Sequence, residues 1–419
     1  MLVTRSIDSR DAWPRAATRV RRAGSLLAGV VLACLVSAGP LAGQTTPDPF
    51  DTARHRSGAL AMNPELALVD LGVDTNVFYE VDAPRRDFTM TFRPAADIWL
   101  RAGHLRAAAH TQVALNYFQQ FSSERSANTD NRLRLELRGP RLTPFGSVSF
   151  LSSRDRTPEI DARVRRQERS GGAGVDVVVG PRLTARVETN RFVTRYADSS
   201  VARGYAIALD RSEQLYRGAL RYRATPLTTF VLQADRQANA FTFANERDAT
   251  TVSVVPGIEF DRAALISGRG FVGYRRFDFT DARLRDFRGL VASVDLGYTL
   301  RGQTRFGVTA DRNVEYSFEI QQPYYVTSGA GVNLSQQFTE RWSAQTQIQQ
   351  RRLDYRRALL TVAVPPRTDH VTYVSAGLGF RPGLHSRFDL TVSYQRRSSE
   401  RLDREYDGLR AGGGFLYEF

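Results

Sequence analysis

Leu409 to Phe419 reads LRAGGGFLYEF. Leu409, Ala411, Gly413, Phe415, Tyr417 and Phe419 share one parity and Arg410, Gly412, Gly414, Leu416 and Glu418 the other, so an extended chain carries an apolar, aromatic face and a small or polar one. The same alternation runs back through the chain. From Ser386 to Ser398, Phe388, Leu390, Val392 and Tyr394 alternate with Arg387, Asp389, Thr391, Ser393, Gln395 and Arg397. In Gln303 to Tyr316, Phe306, Val308, Ala310 and Val314 alternate with Arg305, Gly307, Thr309, Asp311, Asn313 and Glu315, and Trp342, Ala344 and Ile348 are set against Ser343, Gln345, Gln347, Gln349 and Arg351. No stretch beyond Pro64 has a 3.6-residue amphipathic period, so the chain is predicted to be all-β. A soluble sandwich with its apolar faces inward alternates in the same way.

Connection lengths separate the two architectures. Tight connections fall near 101–103, 139–144, 180–182, 225–226, 261–263, 301–302, 340–341 and 381–383. Longer polar ones lie between them, at 79–86, 120–129, 154–167, 197–212, 241–247, 280–285, 317–324, 357–368 and 399–407. Strict alternation of short and long predicts a transmembrane up-and-down antiparallel β-barrel, of about 18 strands. An even count puts both termini on the periplasmic side. Pro94 and Pro256 fall inside predicted strands and predict bulges or local bends, since neither donates to a ladder. Arg312 falls on an apolar parity toward the long-loop end of its strand, where an arginine can meet lipid phosphate.

The final strand resembles that of bacterial outer-membrane β-barrels. The resemblance makes Phe415, Tyr417 and Phe419 the assembly signal read by the barrel-assembly machinery, facing lipid near the periplasmic edge.

Composition agrees with a barrel. Charged residues are 24% and hydrophobic ones 42% of 419 residues, with a mean hydropathy of −0.35, which excludes a bundle of apolar helical spans. All 58 basic residues are arginine, and a guanidinium fork favours fixed ion-pair networks. Residues 1–43 hold six arginines and two aspartates, leaving +10 of the net +14 for the rest, which favours anionic partners or an anionic leaflet. The arginines are interleaved with Asp and Glu rather than gathered in a patch, so no nucleic-acid partner is expected.

The amino terminus reads as a signal peptide over 1–43. Arg15, Arg19, Arg21 and Arg22 precede an apolar run from Ala23 to Ala38, followed by Gly39-Pro40 and a small-residue site at Ala42-Gly43. Cleavage before Gln44 removes Cys34, the only cysteine, leaving no thiolate site or disulfide. A lipoprotein reading needs Leu32 in a lipidation motif that it fits poorly. Residues 44–63, with Pro47 and Pro49, form a periplasmic lead-in, and 64–419 the barrel.

Chemistry has no candidate. His55, His104, His110, His370 and His385 lack companions at metal-ligand spacing, and phosphate-loop, dinucleotide and nucleophile-elbow motifs are absent. No enzyme activity, catalytic residue, metal or cofactor is expected. The candidate lumen lining is the polar face: Asp70, Asp74 and Asn76; Arg217, Arg221 and Arg223; Arg305, Asp311 and Glu315; Arg387, Asp389 and Arg397. Such a set either draws anionic solutes or braces a wide wall.

Gly72-Val73-Asp74-Thr75-Asn76-Val77-Phe78 resembles the first-strand D-x-N-x-F element of the β-barrel porin 2 family, associated with exopolysaccharide gene clusters. Thr75 stands where those proteins often carry another acidic residue. The resemblance implies a monomeric outer-membrane barrel that lets an exopolysaccharide cross, with an anionic polysaccharide and a periplasmic polysaccharide-export protein as partners besides outer-membrane lipid. The alternatives are a diffusion porin for small anions or sugars and a structural or adhesive barrel acting through its outer loops.

Overall fold

The computed structural model describes residues 48–155, 160, 163–197, 200–358, 365 and 367–419, so the expected signal peptide and residues 44–47 lie outside the described residues. The strands are β1 (His55–Ser57), β2 (Leu60–Asp74), β3 (Asp87–Ala102), β4 (Leu105–Phe118), β5 (Ser126–Leu137), β6 (Leu142–Ser153) and β7 (Arg165–Val178). They continue with β8 (Leu183–Ala197), β9 (Arg211–Thr225), β10 (Thr228–Phe241), β11 (Ala249–Phe260), β12 (Ile266–Phe279) and β13 (Phe287–Leu300). The last six are β14 (Thr304–Tyr316), β15 (Tyr324–Gln337), β16 (Trp342–Arg356), β17 (Arg367–Phe380), β18 (Ser386–Ser399) and β19 (Tyr406–Glu418). Each of β2 to β19 pairs antiparallel with its chain neighbour, and β19 pairs with β2, closing an 18-stranded barrel.

Every ring strand is 12–16 residues long, enough to cross a bilayer when tilted. One end of the barrel carries connections of two to five residues and the other carries loops of six to thirteen. The eight tight connections lie where the sequence puts them. Several long loops are narrower than expected, because β5 starts at Ser126, β7 at Arg165, β9 at Arg211, β17 at Arg367 and β19 at Tyr406.

Other expectations are corrected. The loop before β9 holds a helix, α1 (Ser200–Leu209), too short for its Tyr205, Ala208 and Leu209 to announce a period. Leu60–Asn63, at the end of the stretch read as lead-in, is already strand. β1 pairs with it, lying along β2 beyond the end of β19. Pro94 and Pro256 interrupt one ladder each but shift no register, since each missing donor faces a single neighbour. The bulges lie elsewhere, at Thr228–Thr229 and at Val69–Gly72, where Asp70 has φ 55°.

That second bulge changes which parity faces inward. Asn63, Glu65, Ala67 and Val69 border the interior before it and Asp70 and Asp74 after it, so Leu66 and Leu68 stay outside together with Leu71 and Val73. Around the outer wall the exposed large side chains keep one parity per strand, for example Phe230 and Leu232, or Phe388, Leu390 and Val392. At the short-turn end they gather into aromatic pairs: Trp342–Phe380 at 4.6 Å, Phe388–Phe415 at 4.9 Å and Tyr417–Phe419 at 4.8 Å between ring centroids. This is the girdle a barrel presents to a membrane interface.

Candidate functional site: the lumen and its long-loop mouth

The barrel encloses a cavity of about 1510 Å³ whose walls differ in chemistry. On one side charges are paired. Arg410 donates to Asp74 at 2.6 Å and to Asp70 at 3.2 Å. Arg217 donates to Asp235 at 2.6 Å and Glu188 at 3.2 Å, Arg221 to Glu259 at 3.0 Å, and Arg186 to Asp176 at 2.6 Å. Arg387 and Asp389, at 2.9 Å, form one further pair.

From β14 to β18 the wall is uncharged across its middle, between Arg305, Arg387 and Asp389 toward the short turns and Asp311 and Arg351 toward the long loops. Gln345, Gln347 and Gln349 project inward from β16, flanked by Thr309, Asn333 and Ser335 on one side and Ser375, Thr391 and Ser393 on the other. Their side chains make no hydrogen bond with another described residue. Toward the short-turn end, Arg269, Arg305 and Arg381 also border the cavity without a described side-chain partner. The Arg305 guanidinium lies over Gly297, where a Cβ would approach it to 3.2 Å.

The remaining expected lumen residues have varied places. Asp311 lies 3.9 Å from Arg351, Glu315 accepts from Asn313, and Arg223 is exposed on the parity of Arg217 and Arg221. Arg397 is sealed against Asp369, which also accepts from Arg367 at 2.6 Å. Asn76 is enclosed in the seam between the first loop and the last strand. Its amide donates to the carbonyls of Glu80 and Asp407, both at 2.8 Å, and its backbone N–H donates to Asp74 at 3.0 Å. The Thr75 backbone bonds to Leu409, Phe78 meets Phe121 edge-on at 4.8 Å, and Tyr79 stacks on Tyr406 at 4.3 Å. The D-x-N-x-F element is thus a clasp that holds the two ends of the barrel together.

At the long-loop end the β14–β15 hairpin leans across the opening. The β13–β14 ladder stops at Ala292–Arg312, freeing the hairpin's last turn. Val314, Tyr324 and Val326 then pack over the inward side chains of Phe277, Phe279 and Phe287. The tip, 317–323, is held by four other loops. Arg247 donates to the carbonyls of Ser317, Pro323 and Ala208, the last at 2.6 Å. Burial pushes its guanidinium down to about 10. Glu319 accepts from Arg401 at 2.8 Å and Arg404 at 3.1 Å and lies 3.5 Å from Arg367. Gln322 donates to the Pro365 carbonyl at 3.2 Å, and Phe318 meets Tyr205 of α1 edge-on at 5.2 Å. The tip therefore bridges loops on opposite sides of the mouth.

The sequence family described as Putative beta-barrel porin 2 matches residues 48–414. The chain belongs to that family. Among solved structures the porin is similar to a BenF-like porin from Pseudomonas fluorescens Pf-5, with 10% identity over 86% of this chain and 98% of that one and a TM-score of 0.49. It is also similar to OccK5 and OccK3 of Pseudomonas aeruginosa. These have 9% and 12% identity, cover 86% and 85% of this chain and 99% and 95% of their own, and give TM-scores of 0.48 and 0.46. No curated protein matches the chain significantly.

The mouth residues of the porin, Arg247 and Glu319 above all, were not singled out by the sequence. The one signal was the density of aromatics, Tyr316, Phe318, Tyr324 and Tyr325, around a loop read as a longer polar connection. Among the described residues no group of three His, Cys, Asp or Glu side chains is placed to hold a metal ion.

Proposed function

We propose that this outer-membrane porin passes an extended, hydroxyl-rich chain, a secreted exopolysaccharide, without chemistry. The observation that carries this reading is the uncharged wall of Gln345, Gln347, Gln349 and their hydroxyl neighbours. Amides and hydroxyls left without protein partners exchange readily between water and sugar hydroxyls, and residues two apart on a strand repeat the offer every 6–7 Å or so along the channel. Paired charges elsewhere hold the wall rigid without gripping the chain. Solute enters from the periplasm at the short turns, handed over by an export partner, and the hairpin tip opens the outer mouth.

Deleting the protein tests this. The expected result is loss of extracellular polysaccharide while its precursor is still made and accumulates behind the outer membrane. Normal output from the deletion strain would reject it. A second reading, a diffusion porin for small anions, draws on the unpartnered Arg269, Arg305 and Arg381. It requires anion-selective conductance with unchanged polysaccharide output. A closed channel with normal output would leave a structural or adhesive barrel.

A further inference from the structure

The outer wall carries charges where a membrane protein should have few, and they are nearly all of one sign and at one end. Arg191, Arg195, Arg236, Arg288, Arg352 and Arg396 are exposed on their strands. They share parity with lipid-facing side chains: Arg191 and Arg195 with Val187, Arg236 with Leu232, Arg288 with Leu290, Arg352 with Ile348, and Arg396 with Val392. All lie in the long-loop part of the wall, from one position inside the strand end (Arg288 beside Phe287) to six (Arg191 before Ala197). The outward positions of these strands toward the short turns are apolar or uncharged, as in Tyr298, Phe230, Trp342 and Phe388.

The side chains of five of the six, all but Arg288, form no hydrogen bond or ion pair with another described residue. Arg288 lies 3.9 Å from Asp278, which is held closely by Arg276. The strand register concentrates the charge. Arg352 is the direct cross-strand partner of His370, itself exposed, and Arg396 is the partner of Thr372, two residues along the same strand. Across β15, Arg312 and Arg352 flank Ser328 from either side. The opposing carboxylates on this face are few: Asp278; Asp354, two positions along from Arg352 and paired with Arg356 at 2.7 Å; and Asp407, which accepts from Tyr394 at 3.3 Å.

Arginine facing lipid is costly at the bilayer midplane and tolerated near an interface. Unpartnered guanidiniums at one interface alone select the leaflet that supplies anions, and their fork matches phosphate in two-point contacts. We propose that this belt is a binding site for the phosphates of the glycolipid in the outer leaflet, densest around Arg352, His370 and Arg396. Its one-sidedness also fixes the barrel with its long loops outward.

The test is native mass spectrometry of the detergent-purified barrel titrated with bisphosphorylated lipid A, dephosphorylated lipid A and phosphatidylglycerol. Wild type should retain bisphosphorylated lipid A at least tenfold more tightly than the other two. The Arg236→Gln/Arg352→Gln/Arg396→Gln variant should lose that preference while keeping its heat-resistant folded band on a gel. Equal retention of dephosphorylated lipid A, or unchanged retention by the variant, would overturn the belt. Equal retention of phosphatidylglycerol would overturn the assignment to glycolipid. If the triple variant does not fold, Arg352→Gln alone must weaken retention at least threefold, and no change would overturn the site.

Discussion

Arg410 of the last strand donates to Asp74 of the first at 2.6 Å, joining residues 336 positions apart in the chain. Asp74 also caps the Asn76 backbone N–H, and Asn76 reaches the Asp407 carbonyl, so one acidic side chain organises the closure of the ring from both sides. The side chains of Arg410 and Asp74 are 19% and 8% exposed. Removing one partner from such a pair costs about 3 kcal/mol or more. Asp74→Ala and Asn76→Ala should each lower the temperature at which the folded barrel converts to its slower-migrating unfolded form on a gel. A double variant with unchanged heat resistance would contradict the clasp.

Closure also depends on a residue with no side chain. A Cβ on Gly72 would lie 2.1 Å from the Ala411 carbonyl oxygen, inside the β2–β19 pairing, whereas one on Gly218 meets nothing within 4 Å. Gly72→Val should therefore block the last strand from docking and abolish outer-membrane accumulation. Gly218→Val is the matched control and should accumulate normally. Equal accumulation of the two would remove the steric explanation.

The barrel was legible because strand count, alternation and loop lengths are local properties repeated along the chain. Asp389 and Arg387 fall on the inner face by parity alone. Asn76 and Arg397 have inward parity too, but their roles depend on what the opposite strand or loop brings, Asp407 for one and Asp369 for the other. The switch of inward parity at Asp70 was hidden for a related reason. A bulge is decided by the register of both neighbours, and β19 is the far end of the chain. The mouth was least legible, since Glu319 meets Arg401 and Arg404 across more than eighty residues.

The bridged mouth makes a conductance prediction. Arg247→Ala leaves three buried carbonyls without this donor, at about 1–3 kcal/mol each, and 1.4 kcal/mol is a factor of about ten in an equilibrium. The variant should raise the open fraction in planar bilayers at least tenfold, and Glu319→Gln should raise it less, because the amide oxygen still accepts. The pH behaviour has a definite sign. The folded state holds the Arg247 proton less tightly than the unfolded one, so burial costs stability below about 10 and the cost is relieved as pH rises through 10 toward the ordinary arginine range. Between about pH 6 and 9 the guanidinium stays charged and its hold on the tip should not change. Unaltered conductance in Arg247→Ala would show that the tip is held by other contacts.

Ion selectivity should follow the unpartnered lumen arginines rather than the paired ones. Arg305→Gln removes a positive charge that no described carboxylate compensates, whereas Arg217→Gln also releases Glu188 and Asp235. Reversal potentials in a salt gradient should shift modestly toward cations for Arg305→Gln at unchanged heat resistance. Arg217→Gln should shift selectivity further and lower heat resistance as well. The same shift and the same stability in both variants would mean that the pairing seen in the wall does not govern the field in the channel.

Phe419 separates assembly from stability. The residue is 45% exposed, its ring touches Tyr417 edge-on at 4.8 Å, and its backbone N–H donates to the Pro64 carbonyl at 3.3 Å. Little of the folded barrel rests on those contacts: one edge-on pair contributes about 0.5–1.5 kcal/mol and one backbone hydrogen bond a similar amount. The neighbouring Arg54–Glu418 ion pair and the pairing of Tyr417 and Glu418 with Leu66 and Glu65 keep the end of β19 in place without it. Deleting Phe419 should therefore leave refolded barrels nearly as heat-resistant as wild type in detergent, while the amount assembled in cells falls several-fold. That split would assign Phe419 to recognition by the assembly machinery. Parallel losses in refolding and in cells would assign it to packing, and normal levels in cells would leave it with neither role.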